Sequence, residues 1–284
     1  MAKRRSHLNA ALTAQEEVVQ EEYMEYYANF DEEKRLLSQN ITRIEFDTTL
    51  SVLAPYIEQA SHLTELGAAT GRYSLHYAQQ GVNVTAVELV PELVEQLNSN
   101  AKRQSLSLSV HEANATDVSF IENDSQDTVL ILGPLYHIQS KLDREAVLKE
   151  AHRVLKPNGI VAIAYISRFF VAGLLAKMSS DLVSPTVLSD LIESGLVTSS
   201  DVDPFFRTGY FAKPSEIESL AVHTGFSVEN HVATDGYVRF IGQEVNQLSE
   251  QQYQAWLKYH LTTCAEPSLF GSSNHGLVIA KKCS

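Results

Sequence analysis

The chain has 284 residues, 44% of them hydrophobic and 20% charged, which is enough apolar material for one α/β domain with insertions. Its formal net charge of −13 repels a phosphate backbone, and no basic stripe offsets it, so we expect no nucleic-acid partner. No run approaches about 20 apolar residues, and no apolar segment follows the N-terminal charges, so we expect neither a membrane span nor a signal peptide.

Two helices are predicted before the first strand. Residues 14–40 combine a glutamate-rich face with Tyr23, Tyr26 and Tyr27 at helical spacing. Residues 42–59 repeat apolar side chains at the same spacing and form a second predicted helix. These helices could cover a site on the domain that follows, or pack onto it as ordinary structure.

From residue 63 the pattern changes to strands and helices in alternation. Alternating elements of this kind are typical of a mostly parallel sheet with helices on both faces. The predicted strands are 63–66, 82–89, 106–111, 128–132 and 160–166, and the helices between them are 72–80, a helix from Pro91 onward, and 141–155. The segment 156–159, Lys-Pro-Asn-Gly, is predicted to stop the last of these helices.

The alternation is interrupted by residues 169–211, which contain two helix-like pieces and an aromatic turn. After a helix from Pro214, residues 226–232 are the sixth predicted strand and residues 276–281 the last. A long helical segment, including 249–263, separates these two strands. The sequence therefore predicts that the sheet ends in an antiparallel pair rather than in another parallel βαβ unit.

A glycine-bearing turn joins the first strand of the sheet to its helix. In ELGAATG, residues 65–71, Gly67 and Gly71 flank the small residues Ala68, Ala69 and Thr70. Such a turn lets backbone approach a ligand and aims helix N–H groups at it. The dinucleotide pattern G-x-G-x-x-G is not met. A plain strand-to-helix turn would use similar residues, so this segment alone does not establish a site.

Polar residues follow the next three strands. Glu88 ends the second strand, 17 residues beyond Gly71, where a carboxylate can accept both hydroxyls of a ribose. Asn114 follows the third strand, where its amide could meet the exocyclic amine of an adenine. The fourth strand is followed by residues 132–138, Leu-Gly-Pro-Leu-Tyr-His-Ile. A buried strand does not require Gly-Pro followed by Tyr-His, whereas a site at this edge of the sheet could use these residues.

These motifs resemble those of class I S-adenosylmethionine-dependent methyltransferases of the small-molecule type. ELGAATG resembles the first motif of that family, D/E-x-G-x-G-x-G, with Ala69 in place of the middle glycine. Residues 133–136, Gly-Pro-Leu-Tyr, align with the Asn-Pro-Pro-Tyr segment of amino-methylating members. Gly133 lacks the side-chain carbonyl that receives an amine there, which argues against the adenine- or glutamine-methylating branch. A nicotinamide dehydrogenase would instead continue with parallel units and a second catalytic domain.

The resemblance implies S-adenosylmethionine as cofactor, S-adenosylhomocysteine as product and a Rossmann-like α/β fold. The fold is a seven-stranded, mostly parallel sheet with a C-terminal antiparallel hairpin in residues 61–284, an insertion at about 169–213, and an N-terminal helical lid in residues 1–60. The residues predicted to bind the cofactor are Glu65, Gly67, Ala68, Ala69, Gly71, Glu88, Leu89, Asn114, Ala115, Gly133, Tyr27 and Arg43.

On the acceptor side, His137 is the predicted general base because it leaves the fourth strand near the expected methyl and titrates near neutrality. Tyr136 would orient the acceptor. The residues predicted to bind the substrate are Tyr23, Arg168, Arg207 and Tyr210. Each of these side chains could equally be structural, and His260 and His275 are taken as core or surface residues.

Three hypotheses follow from the sequence. The first is an O-, N- or C-methyltransferase for a small molecule, the second a methyltransferase for tRNA or protein, and the third a non-catalytic nucleotide binder. Cys264 and Cys283 match no metal-ligand spacing, so no metal is expected, and two such thiols fit a reduced, cytoplasmic protein. A homodimer is left open.

Overall fold

A seven-stranded sheet runs through the part of the chain that a computed structural model describes, residues 38–197 and 203–283. Its strand order is β3-β2-β1-β4-β5-β7-β6, and every pairing is parallel except the two that β7 makes. The strands are β1 His62–Leu66, β2 Asn83–Glu88, β3 Ser109–Glu112, β4 Gln126–Ile131, β5 Leu155–Ile166, β6 Phe226–Ala233 and β7 His275–Lys282. The predicted fold class and the C-terminal antiparallel pair are confirmed.

Eleven α-helices of the described residues surround this sheet. They are α1 Asn40–Ile57, α2 Arg72–Gln79, α3 Pro91–Arg103, α4 Lys141–Val154, α5 Arg168–Met178, α6 Pro185–Ser194, α7 Pro204–Thr208, α8 Pro214–His223, α9 Gly242–Asn246, α10 Glu250–Thr263 and α11 Pro267–Phe270. Helices α5, α6 and α7 form the insertion between β5 and β6. In the described residues, no helix combines the length and the apolar character that crossing a bilayer requires.

Both faces of the central strands are buried, because successive side chains of these strands enter two separate hydrophobic clusters. Leu130 and Ala162 belong to the cluster on one face, and Val129 and Val161 belong to the cluster on the other. A parallel strand covered on both sides needs such continuous apolar runs. The pattern that predicted the strands is therefore the pattern that builds the core.

The strand order reverses between β1 and β4. β1 pairs with β2 on one side and with β4 on the other, so the connections leave in opposite directions. In an open α/β sheet this reversal opens a crevice outside the carboxyl ends of the two strands, where ligands bind. The turns that leave β1, β2 and β4 all meet at this edge.

The strand β5 begins earlier than predicted. Leu155 follows α4 directly and pairs with Gln126, and the pairing resumes only at Ile160 opposite Thr128. Residues 156–159 are therefore an irregularity within the strand rather than a separate helix-stopping loop, with Asn158 at a φ of +66°. The sequence prediction was wrong here because turn residues also serve bulges.

The N-terminal region is described only from residue 38. Leu53 and Ile57 of α1 enter the cluster that also contains Leu63 of β1, so α1 packs as part of the core. The predicted helix at 14–40 lies almost entirely outside the described residues, and Tyr23, Tyr26 and Tyr27 lie there as well.

Gly276 makes room for a buried tyrosine. It lies opposite Tyr165 in the β5–β7 pair, and a β-carbon at Gly276 would clash with Cζ and the hydroxyl of that ring. Tyr165 is 1% exposed and its hydroxyl hydrogen-bonds Nε2 of His231 at 2.8 Å, so the ring has no room to move.

We therefore predict that Gly276→Ala lowers the free energy of unfolding by about 3 kcal/mol, as overpacking does in tight cores. Gly81→Ala is the control, because Gly81 has a φ of +87° but no atom within 4 Å of the added carbon. That variant carries only backbone strain, about 1 kcal/mol. Urea unfolding measures both, and equal losses would show that the Tyr165 contact is not tight.

Candidate functional site

The loop after β1 is held in a left-handed conformation at three positions. Gly67, Ala69 and Gly71 have φ values of +74°, +47° and +86°. A β-carbon at Gly67 would lie 2.7 Å from two ring carbons of Pro134, in the turn that leaves β4. Gly67 is therefore required both by its φ and by the close approach of that turn.

Ala69 occupies the same left-handed region without being glycine. An L-residue with a β-carbon is strained there by about 1–2 kcal/mol. Its N–H donates to Oε2 of Glu88 at 2.8 Å. This hydrogen bond joins the loop after β1 to the end of β2 and stabilises the strained conformation.

Glu65 is buried beneath the loop. Its Oε2 accepts hydrogen bonds from the N–H of Ser74 at 2.8 Å and from the hydroxyl of Ser74 at 2.5 Å. The carboxyl thereby ties β1 to the first turn of α2. Burial raises the pKa of Glu65 to about 8, against the opposing effect of the Ser74 hydrogen bonds. Glu65 is 2% exposed and holds the loop through its hydrogen bonds to Ser74.

Glu88 lies at the end of β2, where the ribose interaction was predicted. Its Oε1 accepts from the N–H groups of Leu89 and Val90, each at 2.9 Å, and its Oε2 accepts from Ala69. The side chain is thus fixed at the carboxyl edge of the sheet beside the loop. Leu89 is half-buried next to it.

Asn114 is exposed after β3, and Ala115 beside it is buried. Oδ1 of Asn114 accepts hydrogen bonds from the N–H of Thr116 at 3.0 Å and from its hydroxyl at 2.9 Å. An exocyclic amine needs this same oxygen as its acceptor. The oxygen also stabilises a local turn, and the amine contact of Asn114 stays a prediction.

The turn after β4 brings Gly133, Tyr136 and His137 to the same edge. A β-carbon at Gly133 would lie 3.7 Å from both the carbonyl oxygen of Gly67 and the hydroxyl of Tyr136. That hydroxyl donates to the carbonyl of Leu132 at 3.1 Å. The ring of His137 faces Phe205 of the insertion, with 6.0 Å between centroids.

The insertion does not present Arg168 or Tyr210 to a substrate. Arg168 is 1% exposed, donates to the carbonyls of Phe211 and Ile192, and pairs with Glu216. The Tyr210 hydroxyl donates to the same Glu216 carboxylate at 2.9 Å. Both substrate-binding predictions are corrected, because Arg168 and Tyr210 donate their hydrogen bonds to Glu216 of α8. The sequence alone does not show that this carboxylate lies beside them.

Tyr210 also ties the insertion to the β4 turn. Its N–H donates to the carbonyl of Tyr136 at 2.9 Å, and the guanidinium of Arg144 lies 3.4 Å from its ring centroid. Arg207 is half-buried, and its carbonyl accepts from the side chain of Gln139. The insertion and the turn that carries His137 are therefore one packed unit.

Arg43 is also placed differently from the prediction. It forms a bidentate pair with Glu250 of α10, at 2.7 Å and 3.0 Å, and its Nε lies 3.2 Å from Asp47. The hydrogen bonds that Arg43 donates to Glu250 raise the pKa of Arg43. Arg43 therefore joins α1 to α10, and its predicted contact with the cofactor carboxylate is corrected. Tyr23 and Tyr27 lie outside the described residues.

Comparison with known proteins identifies the domain that builds this edge. Residues 64–163 match the family model described as a methyltransferase domain. A solved S-adenosylmethionine-dependent methyltransferase of Methanosarcina mazei shares the fold at a TM-score of 0.57, with 18% identity, over 82% of this chain and 97% of that one. Residues 64–163 of the chain are therefore a methyltransferase domain, in a fold that a solved S-adenosylmethionine-dependent methyltransferase shares. This confirms the predicted family, enzyme class and cofactor for the domain.

Curated relatives of the methyltransferase domain extend over different lengths. An uncharacterised protein of Mycobacterium tuberculosis is 28% identical over 51% of this chain and 51% of its own length. A ubiquinone biosynthesis O-methyltransferase of Xanthomonas euvesicatoria is 24% identical over 70% of this chain and 74% of its own. The chain thus spans about half the length of the first curated relatives it matches.

A buried charged cluster that the sequence analysis missed lies outside residues 64–163. Nδ1 of His275 lies 3.1 Å from Oε2 of Glu45 and 3.6 Å from Oδ2 of Asp235. The guanidinium of Arg239 contacts the same two carboxylate oxygens, at 3.4 Å and 3.1 Å. The signal in the sequence was Glu45, a carboxylate within the apolar face of α1, but its partners are about 190 to 230 residues away.

The buried carboxyl of Glu65 gives a prediction about pH. Its folded pKa of about 8 lies above the ordinary value of 4.5, so the folded domain keeps a proton that the unfolded chain releases. The free energy of unfolding should therefore fall as pH rises from 5 to 8, by a few kcal/mol since one pKa unit is worth about 1.4 kcal/mol.

Glu65→Gln, which imitates the protonated carboxyl, should remove this dependence, and urea unfolding at several pH values measures it. Glu95→Gln is the matched control, because Glu95 is exposed on α3. If the two variants show the same pH dependence as the wild type, Glu65 is ionised in the folded domain.

Proposed function

We propose that this protein transfers the methyl group of S-adenosylmethionine to an oxygen of a small, flat aromatic acceptor. The observation that carries this proposal is the series of aromatic rings beside the β4 turn, at the edge where the cofactor loop ends. Oxygen is favoured over nitrogen because Gly133 has no side-chain carbonyl to receive an amine.

The aromatic series begins at the β4 turn and continues into the insertion. Tyr136 and His137 lie 4.7 Å apart between ring centroids, and His137 faces Phe205. Phe205 contacts Phe206 at 5.4 Å, and Phe206 contacts Phe211 at 6.1 Å. Aromatic rings also pack favourably on one another in edge-to-face and tilted arrangements, so a flat aromatic acceptor would gain the same kind of contact with these side chains. Tyr136, Phe206 and Phe211 are buried behind the half-buried rings of His137 and Phe205, so an acceptor would meet the latter two rings first.

The residues of the cofactor loop fit S-adenosylmethionine. Gly67 brings its backbone against the β4 turn, and the N–H groups at the start of α2 lie beyond Gly71. Glu88 holds a carboxylate at the adjacent strand end, where ribose hydroxyls would donate to it. When bound, the cofactor supplies an electrophilic methyl on a sulfonium. The chain's part is to hold donor and acceptor in line and to exclude water.

The relatives support oxygen as the methylated atom. The Xanthomonas protein is named as an O-methyltransferase of ubiquinone biosynthesis, and it matches this chain beyond the methyltransferase domain. A tRNA substrate is disfavoured by the net charge of −13. We therefore favour a small-molecule acceptor over a macromolecular one.

Calorimetry with S-adenosylmethionine, S-adenosylhomocysteine and NAD tests the cofactor. We expect both adenosyl ligands to bind the wild type and NAD not to bind. Glu88→Gln should weaken their affinity about tenfold, because hydrogen bonds to a carboxylate are stronger than those to an amide. Glu112→Gln is the matched control, since Glu112 is exposed on β3 directly opposite Glu88. Binding of NAD alone would overturn the proposal.

Turnover of a panel of phenols, catechols and amines tests the acceptor. Phe205→Ala should raise the KM of the best phenolic acceptor about tenfold, as the loss of one ring contact does, and leave S-adenosylmethionine affinity unchanged. Phe120→Ala is the control, because Phe120 is a 45% exposed ring stacked on His111 at the far strand β3. Exclusive methylation of amines, or equal effects of the two variants, would contradict the aromatic acceptor site.

A further inference from the structure

We propose that His275, oriented by Glu45 and Asp235, is the general base that takes the proton from the acceptor hydroxyl. This inference rests on the proposed function and deepens it, because it names the residue that activates the oxygen. It replaces His137 in that role.

The position of His275 places it on the acceptor side of the site. It is the first residue of β7 and pairs with Ile166, the last residue of β5, so it lies at the carboxyl edge of the sheet. Its ring centroid is 6.0 Å from that of Tyr136, which follows β4. β7 lies two strands from β4, a distance of about 10 Å that an aromatic acceptor can bridge.

The two carboxylates decide which nitrogen of His275 carries the proton. Glu45 and Asp235 each place a carboxylate oxygen near Nδ1, whereas the side-chain nitrogen of Asn274, a neutral donor, lies 3.0 Å from the same atom. The two charged acceptors outweigh this single neutral donor. A lone pair on Nδ1 would face two carboxylate oxygens and be repelled by them. Nδ1 therefore carries a hydrogen, and in the neutral imidazole the lone pair is on Nε2.

The carboxylates are themselves fixed. Oδ1 of Asp235 accepts from the hydroxyl of Ser273 at 2.6 Å and from the N–H of His275 at 3.1 Å. Its Oδ2 accepts from Nε of Arg239 at 3.1 Å. A metal ion at this cluster would need the carboxylate oxygens of Glu45 and Asp235, and Arg239 already contacts both. We therefore interpret the two carboxylates as groups that orient His275 and not as metal ligands.

The second nitrogen of His275 is left for the acceptor. His275 is 6% exposed, and among the described residues no hydrogen bond reaches its Nε2. His137, in contrast, turns its ring toward Phe205 of the insertion. The geometry thus gives His275 an oriented ring whose Nε2 is not used by the described residues, and gives His137 a place beside the ring of Phe205.

The lone pair on Nε2 of His275 takes the hydroxyl proton while an oxygen electron pair forms the new bond to the methyl carbon. The methyl–sulfur bond breaks with its electrons remaining on sulfur, so the neutral acceptor, imidazole and sulfonium become the methyl ether, imidazolium and thioether. The imidazolium then releases its proton to solvent.

The charges around His275 tune its basicity. Burial lowers the pKa of His275, but Glu45 and Asp235 outweigh burial and raise it above the ordinary value of 6.5. The other charged or titratable groups facing it are Arg239 on the turn after β6, His260 of α10, which contacts the carbonyl of Thr234, and Tyr136. At low pH the imidazolium has no lone pair, so activity should fall as pH drops through this raised pKa.

The test combines pH–rate profiles with NMR of the histidine nitrogens in the wild-type protein. His275→Asn should lower kcat at least 100-fold with unchanged S-adenosylmethionine affinity, the usual loss when a general base is removed. His137→Ala should keep the pH profile of the wild type. Glu45→Gln removes one of the carboxylates that raise the pKa of His275, so it should move the acid limb of the profile to lower pH.

NMR provides a readout that does not depend on turnover. We expect the His275 signals of the wild type to show the tautomer with the hydrogen on Nδ1, a pKa above 6.5, and a lower pKa in Glu45→Gln. Full activity of His275→Asn, or loss of the acid limb in His137→Ala, would overturn the proposal, and so would a hydrogen on Nε2. A wild type that binds no S-adenosylmethionine would instead show that the proposed function itself is wrong.

Discussion

Parallel pairing of β1 with both β2 and β4 is the constraint on which the site depends. It brings the carboxyl ends of three strands to one edge and leaves a crevice where the connections diverge. The left-handed loop after β1 closes one side of this crevice. Two contacts hold the loop there: Glu88 accepts a hydrogen bond from Ala69, and Pro134 fills the space beside Gly67. The donor half of the site is therefore built from short-range contacts between neighbouring strand ends.

Short-range contacts of this kind are predictable from sequence. The order of the strands, the loop glycines and the position of Glu88 at the end of β2 were located correctly because each follows from local periodicity or from its distance to a strand end. Arg43, Arg168 and Tyr210 were misplaced because their partners, Glu250 and Glu216, come from helices that the sequence does not bring together by any local rule. The start of β5 was missed because Pro, Asn and Gly serve both loops and bulges.

The acceptor half is built in the opposite way. Glu45, Asp235 and His275 come from the first described helix, the turn after β6 and the last strand, and only the antiparallel β7 brings them together. The spacing of sequence motifs does not predict an arrangement of this kind, because its members are far apart in the sequence and share no local pattern. The signal left in sequence is a charged residue within an apolar helix face, which indicates that a partner exists without naming it.

The network of Glu216, Arg168 and Tyr210 has a consequence for how acceptor choice can diverge. Arg168 opens the insertion, Tyr210 closes it, and both end on a single carboxylate of α8. The insertion is thus anchored at its two ends, while Phe205 and Phe206 lie between the anchors. New acceptor preferences can arise by exchanging the intervening chain as a cassette, leaving the sheet, the cofactor loop and the anchoring network intact.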